Sequence, residues 1–126
     1  MADLPPSVKA LIGEAAGEGS EGMYRVAKVI HTRARQRNLS VDAVVQQPKQ
    51  FSAMARPDLE AFIAKQPRHI TTQAYEAMAK AEQEVGKGWA NHYLTQDLYN
   101  SKERPSWAKD MKVIDRYGKH IFLSDR

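Results

Sequence analysis

Apolar residues return at the helical interval through the first two thirds of the chain. Val8, Leu11, Ile12 and Ala15 fall at i, i+3, i+4 and i+7, which predicts a first helix with Pro5 and Pro6 suited to its start. Met23, Val26, Ala27, Ile30 and Ala34 predict a second helix, starting near Ser20 as an acceptable N-cap and ended by Asn38. A short third helix is expected after Ser40, with Asp42 in its first turn and Val41, Val44 and Val45 inward, before Pro48 stops it. Segment 57–66 opens with Pro57 and packs Leu59, Phe62 and Ile63. The longest pattern runs over about 71–85, with Ala74, Ala77, Met78, Ala81 and Val85 on one face and Gly86 and Gly88 closing it. Beyond Gly88, aromatic and polar residues interleave without helical period through Trp89, His92, Tyr93, Tyr99 and Trp107. Residues 112–115 and 120–123 then read as two short strands around a Tyr117-Gly118 turn. The pattern predicts a mainly α fold with a small C-terminal β-hairpin. With no internal repeat, low-complexity tract or linker, residues 1–126 are expected to form one domain.

Composition narrows the class. At 126 residues the chain is long enough to bury a real core, and 42% hydrophobic with 27% charged residues describes an ordinary globular protein. No run approaches a membrane span, and the N-terminus lacks the basic and apolar regions of a signal peptide. Synthesis in the cytoplasm is therefore expected, with any export needing outside help. The absence of cysteine excludes a disulfide framework, a thiol nucleophile and a cysteine metal site. A net charge of +4 favours an anionic partner such as nucleic acid, anionic lipid or an acidic cell-wall polymer. Much of the excess lies in Arg25, Lys28, Arg33, Arg35 and Arg37, and such a cluster on one helix is usually its solvated face.

The candidate chemistry starts with the stretch at 11–22, where Glu14 and Glu18 stand four residues apart among Gly13, Gly17, Gly19 and Gly22. Residues at i and i+4 share a helix face, so both carboxylates are expected on one flank of the apolar stripe, at the edge of a cleft. Like charges and glycines weaken a helix, and a locally unstable stretch with paired acid suggests a site. Crowding and partial burial beside Leu11, Ile12 and Ala15 would raise a carboxyl pKa toward the range a general acid needs. The plain alternative is an ordinary exposed helix carboxylate.

Several pieces in order carry a resemblance to a known family. They are Gly13-Glu14-Ala15 with Gly17-Glu18, then Gly22, then Val26-Ala27, Val29-Ile30 and Arg33 on the second helix. They continue through Val44-Val45, Gln47-Pro48, Gln50-Phe51-Ser52, Ala74-Tyr75 and Ala90, His92-Tyr93, and end with Pro105, Trp107, Gly118, His120 and Phe122. In this the chain resembles the spore-cortex-lytic cell-wall hydrolase family of the SleB type, which includes bacterial and phage peptidoglycan-cleaving domains. The resemblance implies a compact lysozyme-like fold acting on the β-1,4 bond between N-acetylmuramic acid and N-acetylglucosamine. It also implies one essential glutamate, at Glu14. Two departures stand out: Thr32 precedes Arg33 where the family usually has Asn, and Ala53-Met54 follow Phe51-Ser52 where a bulky residue or cysteine is common.

Glycosidic cleavage needs a proton for the leaving oxygen and stabilisation of an oxocarbenium-like transition state. No second carboxylate stands out as nucleophile; Glu18 suits a binding or pKa-setting role. The resemblance therefore favours lytic transglycosylation, with hydrolysis by water close behind. Gln50, Phe51, Ser52, Tyr75, His92, Tyr93 and Trp107 are the candidates for holding sugars, by stacking rings and by polar edges. Phe51 could equally be a core anchor, and Gln50 and Ser52 could equally fix the loop backbone. His92 and His120 are distant in sequence and lack metal-ligand spacing, His31 and His69 look incidental, and neither metal nor cofactor is expected. Ser52 lacks a nucleophile-elbow glycine pattern. The expected partner is the peptidoglycan glycan strand, met by a monomer without specific nucleic-acid binding or integral membrane association. The expected setting is a phage-type endolysin reaching the wall or periplasm after release from the cytoplasm. The rivals are a nucleic-acid binder using the arginine-rich second helix and a non-catalytic wall-binding protein.

Overall fold

The computed structural model describes residues 4–84 and 89–126. Helix α1 (Pro6–Ala15) starts with proline in its first turn, where a missing N–H costs nothing. A 3-10 turn over Ala16–Glu18 breaks the chain direction, and α2 (Gly19–Arg37) begins at Gly19, whose φ of 74° favours glycine. Glu14 and Glu18 therefore do not share one continuous helix, as their spacing suggested. Ser20 lies inside α2 and caps nothing. Asn38 ends α2 in the left-handed conformation, its N–H returning to the carbonyls of Ala34 and Arg35.

Helix α3 (Val41–Val45) is capped as expected: the Ser40 hydroxyl accepts from the Ala43 N–H at 3.0 Å. Helices α4 (Leu59–Ala64) and α5 (Arg68–Glu84) follow. The positions 85, 86 and 88, expected to close the fifth helix, lie outside the described residues.

The helices pack around α2, which lies against α1, α3 and α5. Leu11, Ile12, Met23, Val26, Ile30, Val44, Val45 and Ala74 are buried in the main core. Each large aliphatic side chain removed from water there contributes about 1.5–3 kcal/mol.

The C-terminal part departs from the expected hairpin by one strand. Strand β1 (His92–Thr95) joins β2 (Lys112–Tyr117) and β3 (His120–Ser124) in an antiparallel sheet of order β1-β3-β2. A short helix α6 (Gln96–Tyr99), capped by Thr95, follows β1 directly. The β2–β3 turn uses Gly118 at φ 56°. One face of the sheet sends Phe122 into the helical core, while Leu94, Ile121 and Leu123 close a smaller cluster with Ala108 on the other. Arg25 of α2 also ties the sheet to the helices through a 2.9 Å ion pair with Asp115.

Candidate active site

Glu14 lies half-buried in the last turn of α1. Its Oε2 accepts the backbone N–H of Ala53 at 2.8 Å and the hydroxyl of Ser52 at 3.3 Å. Its Oε1 accepts the Tyr93 hydroxyl at 2.5 Å. The 3-10 turn at Ser52–Ala55 and strand β1 thus meet on one carboxylate.

Gly13 sets the distance. A Cβ there would stand 2.6 Å from the Cβ of Ala53, so only a glycine lets the turn come close enough for its N–H to reach Glu14. Ala53, one of the two departures from the family pattern, packs flat against that glycine.

Arg33 holds the two walls together. It is only 7% exposed, whereas the basic residues of α2 were expected on a solvated face. Its guanidinium donates to the carbonyl of Asn91 at 2.5 Å and that of Gln50 at 3.2 Å, and lies 4.9 Å from the Phe51 ring centre. Burial pulls the Arg33 pKa down, opposed by Tyr93, Glu14 and Asp125. One buried cation therefore fixes the loop before Ser52 and the chain before β1. Sequence reasoning missed this role, although Val26, Ile30 and Arg33 at i, i+4 and i+7 place the arginine on the buried stripe. Lys28 also leaves the solvated face, its ammonium 4.1 Å from the Trp89 ring.

The remaining candidates separate. Phe51 is 3% exposed, so its ring is a core anchor and presents no open face to a sugar. The Gln50 amide oxygen accepts from Arg37 at 2.7 Å, which spends it on the loop. Successive strand residues point to opposite faces, so Tyr93 turns to Glu14 while His92 turns away. His92 packs its ring 5.3 Å from that of the exposed Trp107 and bonds Asn91 at 2.9 Å. Burial lowers the His92 pKa, and Arg33 and Arg37 lower it further against Asp125. Tyr75 is not brought to Glu14: 45% exposed, it lines a separate groove of about 710 Å³ with His31, Leu39 and Met78. Glu18 meets neither Ser52 nor Ala53 and instead pairs with His120, its Oε1 3.0 Å from Nδ1. Among the described residues no three His, Asp or Glu side chains converge as a metal site needs.

Burial first, then the charge and hydrogen bond of Glu14, push the Tyr93 phenol well above its ordinary pKa, with Arg33 opposing. Tyr93 is thus a protonated partner for the carboxylate. An acid touched by one fixed donor and two rotatable hydroxyls can give and take a proton without moving its neighbours.

The amino-acid sequence over residues 17–123 matches the model of the Cell Wall Hydrolase family. The chain belongs to that family. This cell wall hydrolase is similar to the catalytic domain of the germination-specific lytic transglycosylase SleB from Bacillus anthracis, at 28% identity over 95% of this chain and 92% of that one, with a TM-score of 0.69. It is similar also to the catalytic domain of the Bacillus cereus SleB protein, at 28% identity over 95% and 88%, with a TM-score of 0.68. No curated protein matches the sequence. The mainly helical, lysozyme-like architecture with its small sheet is the architecture of those domains. Glu14 stands just before the matched stretch, so its candidacy rests on the geometry above.

Proposed function

We propose that this cell wall hydrolase cleaves the β-1,4 bond between N-acetylmuramic acid and N-acetylglucosamine in peptidoglycan strands, as a lytic transglycosylase with Glu14 as acid and then base. The observation that carries the reading is the convergence of Ala53, Ser52 and Tyr93 on the Glu14 carboxylate. The similarity to a lytic transglycosylase domain supports the choice of outcome.

The acid proton has one suitable seat. Oε2 accepts both the Ala53 N–H, which can only donate, and the Ser52 hydroxyl, so its two lone pairs are engaged. Oε1 faces a phenol, which can donate or accept, and keeps a second lone pair for the proton. From Oε1 the proton passes to the leaving glycosidic oxygen as its bond to the muramoyl C1 breaks. The Glu14 carboxylate then takes the proton of the muramoyl 6-hydroxyl while that oxygen bonds C1 and closes the 1,6-anhydro ring. No water is consumed. Glu18, held by His120, is not the nucleophile, and the substrate's 2-acetamido carbonyl can assist as in other single-carboxylate glycosidases.

We propose for this enzyme the setting of a phage-type endolysin, a monomer acting on the wall after release from the cytoplasm, with a net charge of +4 drawing it to anionic envelope polymers. Mass spectrometry of digested peptidoglycan tests the chemistry. Anhydromuramoyl ends are expected; reducing muramic ends would replace transglycosylation by hydrolysis, and intact strands would reject both. Glu14→Gln is expected to lower turnover about 10²–10⁴-fold with the fold retained.

A further inference from the structure

The glycines around Glu18 make a seat for its side chain. A Cβ on Gly22 would stand 2.4 Å from the Glu18 Cβ, and one on Gly118 would stand 3.2 Å from its Oε2. The carboxylate is largely enclosed and reaches His120 at 3.0 Å. The His120 ring meets the Tyr93 ring edge-on, with centres 5.5 Å apart at 75°, an arrangement that fixes the orientation of both rings. The Tyr93 hydroxyl ends on Oε1 of Glu14. Four side chains from the 3-10 turn, β3, β1 and α1 thus form one continuous line.

We infer that Glu18 is a positioning residue: its carboxylate orients the His120 ring, the ring edge orients Tyr93, and Tyr93 orients Oε1 of Glu14. The inference rests on the reading of Glu14 as the acid. The charged groups facing this line are Glu14 and Arg33 at Tyr93 and Glu18 at His120. The alternative role for Glu18 is purely structural, a clamp between the α1–α2 joint and the β2–β3 turn. A clamp changes stability and leaves turnover per folded molecule alone.

Three variants separate the two roles. Glu18→Ala removes the partner of His120. Glu18→Gln keeps an oxygen that accepts from Nδ1–H. His120→Asn keeps a donor for Glu18 and loses the ring against Tyr93, so it preserves the clamp. Glu18→Ala and His120→Asn are expected to lower kcat on peptidoglycan about 10–100-fold with KM within twofold, and Glu18→Gln to restore most of the loss, since small misplacements of reacting groups cost on this scale. The Cζ resonance of ¹³C-labelled Tyr93 gives a readout independent of turnover. Its titration, raised in the native protein by burial and by Glu14, is expected to move down in Glu18→Ala and His120→Asn as the phenol leaves Glu14. An unchanged kcat in His120→Asn, or an unchanged Tyr93 titration in both variants, overturns the inference. Glu14→Gln serves as the control for the underlying reading: a dead Glu14→Gln beside a fully active Glu18→Ala sinks the positioning role alone. An active Glu14→Gln removes the acid itself.

Discussion

Tyr93 and Arg33 decide what the acid experiences. Tyr93 gives Oε1 a partner that can switch between donating and accepting, so Tyr93→Phe is expected to lower kcat about 10–100-fold at unchanged KM, read by steady-state kinetics on soluble glycan strands. Arg33→Met keeps most of the volume and orphans the carbonyls of Asn91 and Gln50. It is expected to cost about 3 kcal/mol in a urea melt, because the buried Asn91 carbonyl and the half-buried Gln50 carbonyl both lose their donor. At this scale the sequence announces Glu14 through its glycine-flanked acids, and Ser52 and Tyr93 through the motifs that carry the family resemblance. Arg33 is harder to read. Its burial depends on two carbonyls 17 and 58 residues away, which no local pattern displays. Phe51 and His92 show the converse: residue type left Phe51 open between core anchor and sugar contact and offered His92 as a sugar contact, while packing buries the first ring and strand alternation turns the second away from Glu14.

Helices and turns add a constraint of spacing. The contact between α1 and the Ser52–Ala55 turn is set by Gly13, so Gly13→Ala is expected to push the turn away, cost about 1–3 kcal/mol and lower kcat together. A melting curve and a rate on the same sample check it. Lys49 precedes the site loop at φ 63°, a conformation costly for a residue with a Cβ. Lys49→Gly is expected to leave kcat unchanged and to stabilise the fold by up to about 1 kcal/mol in chemical denaturation. Long amphipathic elements such as α2 and α5 are legible because burial repeats every three to four residues. Strand β1 is not, being four residues long and half-exposed, with a pattern visible only once β3 lies beside it. The break after Ala15 escaped for a related reason: a 3-10 turn preserves the apparent i, i+4 spacing of Glu14 and Glu18 while changing the direction of the chain.

The whole molecule carries an acid sensitivity. Burial lowers the pKa of His31, against the Met78 carbonyl that its Nε2 meets at 3.0 Å, and burial lowers that of His92. A histidine whose folded pKa is depressed takes up protons more readily when unfolded. Its contribution is complete above the unfolded value near 6.5 and is lost as pH falls below it toward the folded value. Melting temperature is therefore expected to fall as pH drops below about 6.5, and His31→Gln is expected to flatten that slope, both read by calorimetry across pH.

The place of β1 at the margin of its sheet has a practical result. Ser52 and Ala53 reach Glu14 from the turn packed on α1, but Tyr93 arrives on a four-residue strand bonded on one side only. If that strand lifts from β3, the acid loses its phenol while helices α1 to α5 remain wound. Heat inactivation followed by turnover is thus expected to run several degrees ahead of the helical circular dichroism signal, and a cross-link joining the ends of β1 and β3 would bring the two curves together.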